Sequence, residues 1–455
     1  MEIEVVEITT WATKSTLGID LAKALAKLSS CLQDLWWLIL LIVALVACVA
    51  YMLSFWRITY KVTNNTISEL KKNKKYIPKV FVELNEGKEV LRYFVFGNKW
   101  RKRIIKAFNF IYHNSYGDIL KSAVNEEERA FRLNPFDSFP VILSAIQDKR
   151  ELHNSLRQRK YEFKNNYSES QALFEICFYP YDEALNKIEK YTQSAMSRYL
   201  ILNGSAGNGK TNLLCSISEL IMKLKQAVAF ITAREINTGL EQYLLDCLRV
   251  PSYLKKHSNF FWRVENLLLS IRGKYFYIVI DAINENENKE FAKELSLFTN
   301  EMLKYTRFKV IVSCRNEYYQ TRFRKDLVDD VYFPAFELDI KEDTYSNTAL
   351  DRIFLVYKEY FKYTGRISLA VKDMLCEQLL MLRIFFETYA NKDTDVLSVC
   401  KHEVFKEYIN KVCLTTATDT DKLLRKIARI MLDNKQYDGI PVSTMHKLWL
   451  LVHTL

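Results

Sequence analysis

Residues 198–225 read RYLILNGSAGNGKTNLLCSISELIMKLK, and no other stretch narrows the possible folds so far. Tyr199 to Leu202 is a short apolar run of the buried-strand kind, a glycine-rich turn follows, and from Lys210 onward the apolar residues recur at helical spacing. The turn, Gly204, Ser205, Ala206, Gly207, Asn208, Gly209, Lys210 and Thr211, meets the G-x-x-x-x-G-K-[ST] pattern of a Walker A motif in full. Its glycines let backbone N–H groups curl around phosphate oxygens at a helix N-terminus, where partial positive charge already favours anions. Lys210 is positioned to supply a point charge to the β- and γ-phosphates, and the Thr211 hydroxyl a ligand for Mg²⁺. ATP or another NTP with Mg²⁺ is the expected ligand.

A strand feeding a turn and a helix in this way needs parallel neighbours, and the sequence offers them. Ala227–Thr232, Tyr275–Ile280, Phe308–Ser313 and Val331–Phe336 are the further expected strands of a five-stranded parallel α/β sheet. The run YFYIVI ends directly in Asp281, so a strand buried on both faces delivers a carboxylate to the C-terminal edge of the sheet, beside the phosphates. Asp281 is therefore the second expected Mg²⁺ residue, acting through water. Glu285, four residues on, is placed to orient or deprotonate the attacking water, with Glu287 and Glu290 as nearby alternatives. Arg315, just after FKVIVS, is the candidate for stabilising charge on the γ-phosphate from the side opposite Lys210; a salt bridge to Glu317 or another acid is the competing reading.

A second feature lies near the start. Residues 35–56 read LWWLILLIVALVACVAYMLSFW, uncharged and bounded by Asp34 and Arg57. As a helix the stretch reaches about 33 Å, enough for a hydrocarbon core of about 30 Å. Trp36 and Trp37 at one end and Trp56 at the other occupy positions that suit interfacial rings. Arg57, Lys61, Lys71, Lys72, Lys74 and Lys75 crowd the C-terminal side, which predicts a single-pass protein of the cell membrane with the bulk of the chain in the cytoplasm. Leu45–Cys48 and Cys48–Ala50 resemble export cleavage sites, but the apolar run is longer and starts later than a signal core. Ahead of it, Leu17, Leu21, Leu25, Leu28 and Leu32 line one helix face, read either as an interfacial or self-associating helix in segment 1–34 or as the front end of a longer anchor helix.

Residues 57–180 read as a juxtamembrane mixed α/β linker region without chemistry of its own. Its basic cluster Arg101, Lys102, Arg103 and Lys106 reads as a solvated face or as a contact with anionic headgroups. The NTPase domain is expected over 181–345 and a helical domain over 346–455. Hydrophobic residues at 49% and charged residues at 26% exclude disorder and a multispan channel, and nine cysteines without a C-x-x-C pair argue against a zinc site or a disulfide framework. The net charge of +11 does not choose between nucleic acid and anionic lipid.

Four stretches, GSAGNGKT (204–211), IVIDAINE (278–285), VIVSCRNEYY (310–319) and LLMLRIFFETY (379–389), together resemble the STAND-type P-loop NTPases, which include the NACHT proteins. The resemblance implies an ASCE-type sheet with a helical lid and a winged-helix-like part. It implies Lys210 and Thr211 on phosphate and Mg²⁺, Asp281 on Mg²⁺, Glu285 at the hydrolytic water and Arg315 as sensor. The chain departs from the family pattern at three places. Asn284 replaces the second Walker B aspartate, Leu379 stands where many members have a nucleotide-contacting proline, and Met445-His446-Lys447 stands in place of Met-His-Asp. The family's activity implies an ATP-driven switch between a closed monomer and an open homo-oligomer, used in signal transduction or antiviral defence. With no repeat array after residue 346, the expectation is a short member or a separate sensor protein as trigger. Two other readings compete: an AAA+-type ATPase acting on nucleic acid, for which the charge speaks but no binding motif does, and a nucleotide-binding scaffold with little hydrolysis, which Asn284 allows.

Overall fold

The structure, a computed structural model, describes residues 16–80, 85–113, 133–158, 170–250, 259–340, 347–377 and 379–415, with positions 425 and 429 beyond them. His446 and the expected winged-helix-like part therefore lie outside the described residues.

In chain order, helix α1 (Thr16–Lys72) is followed by α2 (Asn85–Phe96), α3 (Arg101–His113), α4 (Phe139–Gln158) and α5 (Ser170–Met196). Then come β1 (Tyr199–Gly204), α6 (Lys210–Lys223), β2 (Ala227–Thr232), α7 (Leu240–Cys247), β3 (Phe276–Asp281), α8 (Phe291–Leu303), β4 (Phe308–Ser313) and β5 (Ala335–Ile340). Helices α9 (Asn347–Tyr360), α10 (Leu369–Cys376), α11 (Leu379–Thr388) and α12 (Lys401–Thr415) form a lid with its own core around Leu375, Leu382, Phe385 and Phe386.

All strand pairs are parallel, in the order β2-β3-β4-β1-β5. Successive side chains of a strand point to opposite faces, and both faces are covered here. Tyr199, Ile201, Ile278 and Ile280 enter one core, while Leu200, Leu202, Tyr277 and Val279 enter the other. This explains why the central strands read as unbroken apolar runs. The fifth strand starts at Ala335 rather than at the expected Val331. Pro334 has no N–H to give a ladder and restricts the residue before it, so pairing begins immediately after it. β5 is an edge strand and alternates, with Phe336, Leu338 and Ile340 inward.

Helix α1 runs across the expected boundaries at residues 34 and 56. It is one unbroken helix, so the leucine stripe, the apolar segment and the basic segment share a single axis about 85 Å long. Its C-terminal part belongs to the NTPase unit. Phe55 and Trp56 are buried, Phe55 sets its ring edge against Phe276 at 5.6 Å, and Trp56 Nε1 donates to the Lys225 carbonyl at 3.4 Å. Trp56 is therefore a packing residue, not the interfacial ring expected at the end of a transmembrane helix over 35–56. Farther along, Thr63 Oγ1 donates to Val228 O at 2.7 Å and accepts from Phe230 N–H at 3.2 Å, and Thr66 Oγ1 donates to Phe230 O at 2.8 Å. Two threonines one turn apart thus satisfy the open edge of β2, which would otherwise present unpaired backbone groups.

Among the described residues, no helix is long and apolar enough to cross a membrane; the side chains at 44, 45 and 47–53 lie outside them. Trp36 to Val43 are eight successive apolar side chains, all exposed. Region 57–180, expected as a mixed linker, has helices and no strand among its described residues, with non-helical stretches at 73–80 and 133–138. Val90, Leu91 and Phe94 of α2 cover one sheet face, while α3, α4 and α5 pack together behind it through Ile104, Phe108, Ile142 and Ile188.

Candidate functional site

The phosphate loop is shaped by what crowds it. β1 ends at Gly204, with φ at +151°, where a Cβ would come within 2.7 Å of the Ile340 carbonyl. Gly207, with φ at +86°, faces the lid, and a Cβ there would meet Leu380 Cβ at 2.7 Å. Both positions need glycine on conformational and steric grounds. Asn208 ties the loop to the end of β5 by donating from Nδ2 to Ile340 O at 3.0 Å. α6 then opens at Lys210, and Lys210 Nζ donates to the Gly204 and Ser205 carbonyls at 2.5 and 2.7 Å. Burial, partly offset by nearby Asp281, lowers the ammonium to about 8 from its ordinary 10.5. A buried cation resting on carbonyl dipoles is poised to exchange them for a phosphate.

Asp281 stands where the apolar strand was expected to deliver it, at the end of β3 and beside α6. Thr211 Oγ1 donates to Asp281 Oδ2 at 2.8 Å, and Ser313 Oγ donates to Oδ1 at 2.5 Å. Burial still holds the Asp281 carboxyl above the usual range; the two hydroxyl bonds and Lys210 pull the other way, and Glu285 adds to the rise. A carboxylate buried this deeply and short of positive charge, beside a hydroxyl, is an all-oxygen donor set of the kind a hard divalent cation takes. Thr211 and Asp281 fit Mg²⁺ on that chemistry.

The chain after Asp281 turns sharply. Ala282 adopts a left-handed conformation with φ at +55°, its N–H held by Ser313 Oγ at 2.8 Å. The turn puts Glu285 opposite the phosphate loop, between two cations: Lys75 Nζ lies 3.7 Å from Oε2 and Arg315 lies 3.6 Å from Oε1. The acid that pairs with Arg315 is thus Glu285. Asn284 accepts the Arg315 backbone N–H at 3.2 Å, joining the turns after β3 and β4, so the missing second aspartate has been replaced by a structural tie. Glu287 and Glu290 are exposed and outside the cavity.

Two adjoining cavities, of 200 and 630 Å³, share Lys75, Thr211, Asp281, Ala282 and Glu285. The smaller is the phosphate cradle, and it also takes in Ala206, Gly207, Gly209, Lys210, Ser313 and Arg315. The candidate residues Lys210, Thr211, Asp281, Glu285 and Arg315 are all brought together there. Three further residues were not singled out in the sequence. Ser313 had a signal, a polar residue closing an apolar strand next to the Walker B strand. Arg383, on lid helix α11, lines the cradle, and its guanidinium donates to Lys74 O at 2.7 Å and meets Glu387 at 3.1 Å. In sequence it is one charge in an apolar helix. Lys75 had no signal of its own in a lysine-rich stretch. Leu379 packs toward the lid core and Leu380 meets the phosphate loop.

No family model matches the sequence, and no curated protein does. Among solved structures the chain is similar to Cdc6p from Pyrobaculum aerophilum, at 13% identity over 42% of this chain and 54% of that one, with a TM-score of 0.31. It is also similar to the Orc1 protein of Aeropyrum pernix in complex with DNA, at 15% identity over 56% of this chain and 72% of that one, with a TM-score of 0.31. The chain spans about half the length of the first of these. Likeness at this level carries no functional conclusion. The P-loop NTPase fold rests on the sheet order β2-β3-β4-β1-β5 and on the joining of Lys210, Thr211 and Asp281 in one cradle.

Proposed function

We propose that this chain is a membrane-anchored, ATP-binding and ATP-hydrolysing switch of the STAND type, serving signalling or antiviral defence, whose nucleotide state controls homo-oligomerisation. The observation that carries the nucleotide part is the Thr211–Asp281 hydrogen bond beside Lys210, with Glu285 across the cradle. Lys210 and the loop amides bind the β- and γ-phosphates, and Thr211 and Asp281 hold the cation. Bound Mg²⁺ would neutralise phosphate charge. Glu285 orients water in line with the terminal phosphate, and Arg315 stabilises charge that develops on that phosphate. The two cations beside Glu285 compete with a water for its oxygens. That supports slow turnover, in keeping with a switch.

The membrane part is supported by the exposed apolar run Trp36–Val43, which spans two helical turns and so is apolar on every side. The defence role and the oligomer rest on the resemblance of the four sequence stretches. Purified full-length protein should bind a fluorescent ATP analogue and gain mass in detergent on ATP addition, and Lys210→Ala should lose both. Unchanged binding by that variant would sink the proposal. If ATP changes the leakage of vesicles carrying the wild type, Lys210→Ala should abolish that effect as well.

A further inference from the structure

The segment that ends α1 enters the phosphate cradle. Helix α1 terminates with Lys74 in a left-handed conformation, φ at +53°, and the Lys75 and Tyr76 N–H groups both donate to Leu70 O, at 2.9 and 3.1 Å. Tyr76 is buried and its hydroxyl reaches Glu219 at 3.4 Å. The backbone at Lys75 is therefore fixed from both sides, and the lid adds a third hold through Arg383 on Lys74 O. The Lys75 side chain is 51% exposed, and its ammonium lies 3.7 Å from Glu285. Its ammonium lines the cradle together with Lys210, Arg315 and Arg383, and Arg383 is already paired with Glu387. Lys75, Lys210 and Arg315 then face two carboxylates, Asp281 and Glu285, which leaves a surplus of one positive charge for a phosphate group.

We propose that Lys75 is a γ-phosphate-sensing residue contributed by the end of the anchor helix. It pairs with Glu285 while no terminal phosphate is present. When one arrives, the ammonium transfers to its oxygens and releases Glu285 to orient water. The inference rests on the nucleotide reading above and deepens it, because the nucleotide state is then read directly by the helix that carries the exposed apolar run. Lys75 is separate from the lysine of the phosphate loop, and its backbone is tied to the last turn of α1 through Leu70 O.

The test uses full-length protein in detergent, with equilibrium binding of ADP and of a non-hydrolysable ATP analogue to wild type, Lys75→Gln and Lys75→Arg. Single-turnover hydrolysis follows on the same samples. Lys75→Gln should keep ADP affinity within about twofold and lose about tenfold in affinity for the analogue, a selective loss expected when one charge contact to the terminal phosphate is removed. Lys75→Arg should recover most of that discrimination. Equal effects on both nucleotides, or none on either, would overturn the role of Lys75 while leaving nucleotide binding standing. A wild type that binds neither nucleotide would overturn both readings.

Discussion

Lys210 sits on two backbone carbonyls, and that contact makes a pH prediction. Its pKa in the folded protein is lowered to about 8, below the ordinary 10.5, chiefly by burial. For a base so lowered, the unfolded chain binds more protons between those two values, so stability rises with pH across that window, and the desolvation cost is fully present below about 8. Nucleotide binding runs the other way, because phosphate needs the charged form. Affinity should fall as pH rises through about 8, and binding at about pH 9 should take up close to one proton, against almost none at about pH 6.5. Calorimetry in two buffers of different ionisation enthalpy measures the uptake; equal uptake at both pH values would mean that Lys210 is already charged at about pH 9 and that burial does not lower its pKa to about 8. At the same scale, Asp281, Glu285 and Arg315 were legible because each ends or follows an apolar run whose direction is fixed. Lys75 and Arg383 were not, since nothing local to either residue marks it as facing a cradle built from segments distant in the chain.

At the scale of elements, the contact of α1 with β2 is the feature that reorganises the fold. A helix carrying two threonines in successive turns has no obvious sheet-binding signature, yet Thr63 and Thr66 complete the edge of β2. Thr63→Val keeps shape and removes the hydroxyl, leaving Val228 O and Phe230 N–H buried without that partner. It should destabilise the protein by about 1–3 kcal/mol, read by chemical denaturation. Thr63→Ser should recover most of the loss, because the hydroxyl returns. A Val variant as stable as wild type would mean that water replaces the threonine and that α1 lies loosely on the sheet. The central strands needed no such information. Each is buried on both faces, so its pattern is a continuous apolar run that is readable in isolation. β5 was misplaced by four residues because the apolar signal of 331–336 spans Pro334, and only the ladder shows on which side of it pairing starts.

Across the whole molecule, the basic residues that argued for orientation divide into two groups. Lys71 pairs with Glu219 at 3.0 Å and Lys75 with Glu285 at 3.7 Å, so both are committed to the NTPase unit. Arg57 and Lys61, close to the apolar run, and Lys72 and Lys74, farther along, remain exposed and carry what is left of the charge argument. The proposed anchor makes a direct prediction. Wild-type protein should sediment with membranes and resist extraction by high salt and by alkaline carbonate, yielding only to detergent. Leu41→Arg, which puts a charge in the middle of the run at a cost of about 2.5–3.5 kcal/mol for a central position, should shift a measurable fraction to the soluble phase. If wild type is released by salt alone, the apolar run is covered by protein and not by lipid.

The phosphate loop, the central strands of the parallel sheet and the carboxylate at the end of β3 could be read from the chain alone, because each is a local pattern with a fixed period or spacing, whereas the strand order β2-β3-β4-β1-β5 was supplied by the tertiary structure. Which residues from far away complete the cradle could not. Lys75 comes from the end of the first helix and Arg383 from the lid, and they meet at Lys74 because the helix docks along β2 and the lid closes over Gly207. Long-range packing selects those neighbours, and no period in the sequence encodes it. The apolar segment shows the same division: its length and composition were plain from the outset, whereas its continuity with the wall of the nucleotide cavity emerged only once Phe55, Trp56, Thr63 and Thr66 were seen to bind the sheet.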